Sequence, residues 1–92
     1  MSETLVDNTE AQRFELEVPG GMAFIDYRRS GGVLFLNHAE VPAALGGQGL
    51  GSRLVRETLE LIRSRSERVV PVCSFIRATM ARDAGYDELR AS

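Results

Sequence analysis

Hydrophobic and polar positions in the first half of the chain follow the pattern of strands. Polar and apolar residues alternate strictly over residues 13–18, which indicates a strand with one buried face. Residues 22–28 resume an extended, aromatic-rich pattern after a break at Pro19, and the apolar run at residues 33–36 suits a central strand covered on both faces. Glycine turns separate these segments, so they should form an antiparallel meander.

In the second half of the chain the apolar period becomes that of a helix. Apolar residues recur at helical spacing over about residues 49–65. Residues 69–72 should form a strand parallel to the third, and Pro71, which cannot donate to a ladder, indicates an edge where the sheet opens. Ser74 is a natural N-cap for a closing helix over about residues 75–84. The pattern predicts an α/β fold of the α+β type, one mixed sheet in the order β-β-β-α-β-α.

Length and composition limit the organisation. A chain of 92 residues with one cysteine has room for one domain and no internal disulfide. We expect residues 12–92 to form this domain and the acidic residues 1–11 to be a frayed tail. No apolar run approaches the ~20 residues of a membrane span, and the N-terminus lacks the pattern of an export signal. We therefore expect a cytoplasmic protein with no membrane partner.

The charged residues narrow the possible chemistry. The formal net charge of −2 and the isoelectric point near 5.4 argue against a nucleic-acid partner, because proteins that bind a polyanion usually carry a clustered positive face. Every basic residue is arginine, so a lysine nucleophile or Schiff base is excluded. We expect no metal site.

A glycine-rich turn lies between the third strand and the long helix. It carries glycines at Gly46, Gly47, Gly49 and Gly51. Glycines let a backbone approach a ligand closely, and the free amides at a helix N-terminus point towards an anion, so a phosphate is the natural ligand. The alternative is a tight turn whose small residues only let the helix pack on the sheet.

Better-known glycine motifs fit this turn poorly. A nucleotide P-loop requires a lysine, which the chain lacks, and a dinucleotide fingerprint requires a glycine at the position of Ser52. Residues 46–49 match the Gly-x-x-Gly loop of KH-type RNA modules, and residues 46–48 match the Gly-Gly-Gln tripeptide of release factors. No basic residue lies beside the loop before Arg53, so a small RNA-associated module is the least favoured hypothesis.

Two segments together carry a resemblance to a known family. Residues 40–55, EVPAALGGQGLGSRLV, resemble the acetyl-coenzyme-A loop of the GNAT N-acetyltransferases. Residues 70–75, VPVCSF, are similar to a group of very short, stand-alone GNAT-like proteins whose fourth strand ends in Pro-x-Cys. The resemblance covers about residues 12–86. One departure is Gly46, which stands where the GNAT pattern has Arg or Gln.

The resemblance implies a compact GNAT-like mixed sheet that binds acetyl-coenzyme A. It implies transfer of the acetyl group to an amine of a small molecule or a protein. It also implies that the loop binds the coenzyme's pyrophosphate and that the preceding strand offers backbone groups to the pantetheine arm. In this chain the strand residues are Glu40, Val41 and Pro42, and the loop residues are Gly46, Gly47, Gln48, Gly49, Leu50, Gly51 and Ser52.

Two side chains are candidates for covalent chemistry. Cys73 lies between a strand end and the N-terminus of the last predicted helix, where the helix dipole favours a thiolate nucleophile. His38, the only histidine, ends the third strand, which should lie beside the strand of Cys73, and is a candidate base. The alternatives are a small buried hydrophobe at Cys73 and a surface or packing residue at His38. Tyr86 and Glu40 are secondary candidates, as an acid and as a base.

The favoured hypothesis is an acetyl-coenzyme-A-dependent N-acetyltransferase, with transfer either direct or through Cys73. The alternative is a coenzyme-A-binding module with little transfer activity, which the short chain and Gly46 suit.

Overall fold

A five-stranded mixed sheet organises the residues that the computed structural model describes, 4–47 and 49–91. The strands are β1 (Leu5–Asn8), β2 (Arg13–Val18), β3 (Gly21–Ser30), β4 (Val33–Glu40) and β5 (Arg68–Pro71). The helices are α1 (Leu50–Ser64) and α2 (Ser74–Ala81), with 3₁₀ turns at Ala43–Leu45 and Ala84–Leu89. Strands β1 to β4 form an antiparallel meander, and β5 pairs parallel to β4 at the edge. The predicted α+β class, the meander and the parallel edge strand are confirmed.

The hydrophobic core lies on one face of this sheet. Alternation along each strand places apolar side chains on that face, and both helices cover it with their apolar stripes. Its fully buried side chains include Phe14, Leu16, Ile25, Leu34 and Leu36 of the strands, Leu54, Leu59 and Ile62 of α1, and Ile76 of α2. Neither helix is long and apolar enough to cross a bilayer, within the part of the chain that the structure describes.

The opposite face of the sheet is open, which corrects the prediction for residues 33–36. Leu34 and Leu36 are fully buried, but Phe35 between them is 36% exposed. The physical reason is that α1 and α2 pack into the same core, so β4 is covered on one face. On the open face the Arg13 guanidinium lies 4.3 Å from the centre of the Phe24 ring.

The segment predicted as a frayed tail contains a strand. Residues 5–8 form β1, which pairs with β2 along its whole length. The Asp7 side chain is only 6% exposed and accepts hydrogen bonds of 2.6 Å from the Tyr27 hydroxyl and from Arg65 Nη1. Burial, and next its hydrogen bond to Asp7, raise the pKa of Tyr27. The prediction of a tail was wrong for these residues because partners distant in sequence anchor them.

The helix α1 agrees with its predicted bounds, whereas α2 differs at both ends. Cys73 rather than Ser74 is the N-cap residue of α2, and Ser74 is the first helical residue. The helix ends at Ala81, and Asp83 then caps the C-terminal 3₁₀ turn by accepting a 2.9 Å hydrogen bond from the Gly85 amide. Capping by Asp83 starts a new turn before the predicted end of the helix.

Removal of the Asp7 carboxylate tests whether β1 belongs to the folded unit. Asp7→Ala should lower the free energy of unfolding by about 1–3 kcal/mol, because it leaves the Tyr27 hydroxyl and Arg65 without their buried partner. Chemical denaturation of the variant and the parent measures the difference. Glu10→Ala, in the exposed turn after β1, is the control and should change stability by less than about 0.5 kcal/mol. Equal stability of Asp7→Ala and Glu10→Ala would contradict a structural role for β1.

Candidate functional site

Strands β4 and β5 separate in the middle of β4. Their pairing ends at Leu36 and Pro71, and the Leu36 carbonyl accepts hydrogen bonds of 3.0 Å from the amides of both Val72 and Cys73. Beyond this point β4 continues to Glu40, paired only with β3 among the described residues. Because the chain leaves the sheet after Pro71 and enters α2 at Ser74, one edge of β4 beyond Leu36 keeps its backbone groups unpaired by a strand.

The glycine-rich turn leads from this edge into α1. Gly47 and Gly49 have φ values of 81° and 73°, the left-handed region that favours glycine. Gly49 is the N-cap residue of α1, where no side chain makes a capping hydrogen bond, and the first turn carries no acidic residue. The first-turn amides of an α-helix have no acceptor within the helix, so these are available to an anion. Gln48 lies outside the described residues.

A cavity of about 280 Å³ lies over the turn and reaches Val41, the residue that directly follows β4. It is lined by Val41, Leu45, Gly46, Gly47, Gly49, Leu50, Gly51, Ser52 and Phe75. A Cβ atom added at Gly47 or Gly49 would meet no heavy atom within 4 Å, so the backbone of both residues borders open space. We call this space the loop cavity. The predicted loop residues in the described chain therefore do share one site.

The absence of a side chain at Gly51 serves helix packing, whereas Gly47 and Gly49 border open space. A Cβ atom at this helical position would lie 2.9 Å from Cζ of Phe75 in α2 and 3.6 Å from Cγ2 of Val41. Gly51 thus lets α2 approach the start of α1. The apolar periodicity and the composition of α2 do not identify Phe75 as a residue of this site, because its role depends on a contact between two helices.

The loop is also held against the turn between β2 and β3. A Cβ atom at Gly20 would lie 3.2 Å from Cδ2 of Leu45, and one at Gly21 would lie 3.0 Å from Cγ of Pro42. Because Gly20 and Gly21 have no side chains, the loop packs closely on the sheet at these two residues. Pro42, a predicted coenzyme contact, therefore packs its ring on Gly21, and its carbonyl accepts a 2.9 Å hydrogen bond from the Leu45 amide.

The structure does not bring His38 and Cys73 together. Cys73 is half-buried against the core at the point where β4 and β5 separate. His38 lies on the open face of the sheet, where its Nε2 is 3.1 Å from Oε1 of Glu40 and its ring stands edge-on to Phe24. Glu40 likewise directs its side chain to the open face, so only its backbone borders the unpaired edge.

Tyr86 lies in the C-terminal 3₁₀ turn, away from the loop cavity. It is 5% exposed, and burial first, then the nearby charge of Glu60, raises its pKa above the usual 10.0. The hydroxyl therefore stays protonated through the neutral range. Tyr86 borders a second cavity with Ser52 and Arg56, as described below.

Comparison with known proteins identifies the family of this chain. A family model described as GCN5-related N-acetyl-transferase matches residues 13–89. The chain belongs to the GCN5-related N-acetyltransferase family, and the resemblance of its loop to that family is confirmed. The solution NMR structure of a GCN5-like protein from Staphylococcus aureus has the same fold, with a TM-score of 0.73 and 23% identity over 100% of this chain and 92% of that chain. Membership of the Pro-x-Cys group stays a prediction.

The contact between Gly51 and Phe75 should appear as energetic coupling. Gly→Ala inside a helix ordinarily stabilises by about 0.5–1 kcal/mol. Here the added Cβ crowds Phe75, so Gly51→Ala should be more favourable in a Phe75→Ala background than in the parent, by about 0.5–3 kcal/mol. Denaturation of the four proteins of the cycle measures this. The control cycle uses Phe35→Ala, a similarly exposed ring on the open sheet face, and should be additive. Additivity in both cycles would contradict the proposed packing.

Proposed function

We propose that the chain binds acetyl-coenzyme A between the loop cavity and the unpaired edge of β4 and transfers the acetyl group to an amine. The observation that carries this proposal is the junction of two sets of free backbone groups. The first turn of α1 borders the loop cavity, and Val41, the residue that directly follows the unpaired edge of β4, lines the same cavity. Such a junction can bind a ligand that has an anionic group at one end and an extended arm with amide groups.

The loop cavity fits a pyrophosphate. Its amides come from Leu50, Gly51 and Ser52, and the positive end of the α1 dipole points the same way. Bare backbone at Gly47 and Gly49 allows close approach, because no Cβ atom intervenes. Gly46, where the family pattern has Arg or Gln, has an extended conformation with φ of −64°. The backbone amides therefore supply the anion binding that a longer side chain at this position would reinforce.

The unpaired edge of β4 fits the pantetheine arm. From Leu36 to Glu40 the strand spans about 13 Å, at ~3.3 Å per residue. The arm carries two amide groups that can pair with backbone groups of Glu40 and Val41, as an added strand would. The Pro42 carbonyl already accepts a hydrogen bond from Leu45, so we assign Pro42 to shaping the loop. This arrangement directs the thiol end of the arm towards Leu36 and Cys73.

The coenzyme supplies an acetyl group activated as a thioester. The residues of this chain hold the phosphate end on α1 and leave the acyl end beside Cys73, where β4 and β5 separate. Positioning alone makes direct attack by an amine effective, because it converts an encounter into a reaction within one complex. In the covalent route Cys73 Sγ bonds to the acetyl carbon as the bond from that carbon to the coenzyme sulfur breaks, and the thiol proton passes to the departing thiolate. An amine then bonds to the acetyl carbon, the bond to Cys73 Sγ breaks, and the proton lost by the amine regenerates the Cys73 thiol.

The alternative functions make different demands. A coenzyme-binding module with little transfer activity uses the same cavity and differs only in turnover. An RNA module of this type requires basic residues at the Gly-x-x-Gly loop itself, and the residues that line the loop cavity in the described chain include none; Arg53, the first after the loop, is engaged by Glu57 at 2.6 Å. The site geometry therefore supports the coenzyme functions over the RNA module.

Binding at the loop cavity should stabilise the protein. Acetyl-coenzyme A at ~100 times its dissociation constant should raise the free energy of unfolding by about 2.7 kcal/mol, measured by thermal denaturation. Gly49→Val should abolish this shift, because the side chain enters the open space over the loop. Gly32→Val is the matched control: its φ of 81° is similar and its Cβ would also meet nothing within 4 Å, but it lies in the turn between β3 and β4. A shift retained by Gly49→Val would contradict this site, and no shift in the parent would contradict the function.

The two transfer routes differ in the fate of Cys73. If the covalent route operates, incubation with acetyl-coenzyme A should add one acetyl mass to the intact protein, and Cys73→Ser should remove this adduct while retaining the thermal shift. His38→Ala should leave adduct formation unchanged, because His38 contacts Glu40 on the other face of the sheet. Intact-mass analysis under non-reducing, mildly acidic conditions measures the adduct. Amine acetylation by Cys73→Ala at the parental rate would contradict the covalent route and leave direct transfer.

A further inference from the structure

A second cavity adjoins the loop cavity along the groove between α1 and α2. It has a volume of about 240 Å³ and is lined by Ser52, Arg56, Thr79, Arg82, Asp83 and Tyr86. Ser52 lines both cavities, so the two are neighbours at the first turn of α1. We call this second space the arginine cavity.

The two arginines that line this cavity have no carboxylate partner in the described part of the chain, although the charge of Arg56 acts on the nearby Tyr86 hydroxyl. Neither guanidinium makes a hydrogen bond or an ion pair within residues 4–47 and 49–91. Most other arginines do: Arg13 pairs with Glu15, Arg29 with Glu67, Arg53 with Glu57, Arg63 with Glu60 and Arg65 with Asp7, while Arg77 donates to the Val72 carbonyl. Acidic residues outnumber basic ones, 13 to 11, so two unpaired guanidiniums in one cavity are not explained by a shortage of carboxylates.

Two other polar side chains of the arginine cavity, Asp83 and Thr79, are already engaged within the protein. Oδ1 of Asp83 accepts a hydrogen bond from the Gly85 amide, and Oγ1 of Thr79 donates to the Phe75 carbonyl at 3.0 Å. Tyr86 is buried and stays protonated in the neutral range. The free charges that face a ligand are therefore the two guanidiniums, set against one carboxylate that caps a turn.

We propose, resting on the coenzyme function above, that Arg56 and Arg82 bind the 3′-phosphate of coenzyme A. This group is a phosphate monoester, which carries a charge of about −1.5 to −2 at neutral pH. Guanidinium groups bind such oxygens with paired, charge-assisted hydrogen bonds. A single ribose joins the 3′-phosphate to the pyrophosphate, so its site must adjoin the loop cavity. Arg56 lies one helical turn beyond Ser52, a rise of about 6 Å along α1.

This assignment distinguishes two parts of the coenzyme by their partners. Backbone amides at the loop bind the pyrophosphate, whereas side chains at the arginine cavity bind the 3′-phosphate. Substitution of either arginine therefore affects only ligands that carry the 3′-phosphate. Arg56 and Arg82 supply positive charge at the other end of the ribose. Gly46, which stands where the family pattern has Arg or Gln, supplies none at the loop.

The test compares coenzyme A with 3′-dephospho-coenzyme A by titration calorimetry. The parent should bind coenzyme A about three- to tenfold more tightly than the dephospho form, since one group with charge-assisted contacts is removed. Arg82→Gln and Arg56→Gln should each weaken binding of coenzyme A about threefold or more and leave the dephospho form unchanged within twofold. The preference of the parent should also fall at high salt.

Arg28→Gln is the matched control, because Arg28 is an exposed arginine of β3 that also has no hydrogen bond or ion pair in the described chain. It removes the same charge and should keep the preference of the parent. Equal affinity of the parent for both ligands, or equal weakening of both by Arg82→Gln, would overturn the arginine site while the coenzyme function stands. Absence of binding by either ligand to the parent would overturn both proposals.

Discussion

The separation of β4 from β5 at Leu36 is the constraint on which the rest of the site depends. Two consecutive amides, those of Val72 and Cys73, converge on the Leu36 carbonyl, which is the last pairing between the two strands. The chain then turns into α2 at Ser74, so the ladder ends here and one edge of β4 is exposed. Without that early end of pairing, the edge that leads to the glycine turn would be filled by protein.

Much of the fold could be predicted from the period of the apolar residues. Alternation over β2 and the helical spacing over α1 both gave the observed elements, because each depends on neighbours within the same segment. The glycine turn was also predictable, since a left-handed φ at Gly47 and Gly49 is a local requirement. Where sequence and structure agree, the cause lies within a few residues.

The differences arise where the cause lies far away in the chain or in a shift of register. β1 is held by a carboxylate whose partners, Tyr27 and Arg65, lie in β3 and just after α1. In β4 the register shifts opposite Asp26 and Tyr27, which pair with His38 and Leu36, so Asn37 is an extra residue. An extra residue reverses the facing of every side chain after it. The bulge therefore turns His38 to the open face, which strict alternation from Leu36 would not predict.

The order of the strands in the sheet is their order in the chain, and this has a kinetic meaning. Each of the first three strands pairs with the next across a short turn, so these contacts form with little loss of chain entropy. Only the pairing of β4 with β5 closes a long loop, and that loop contains the glycine turn and all of α1. Completing the sheet and assembling the proposed coenzyme site are therefore one and the same closure, and a ligand that bridges the turn and the edge would stabilise the least local strand pairing of the sheet.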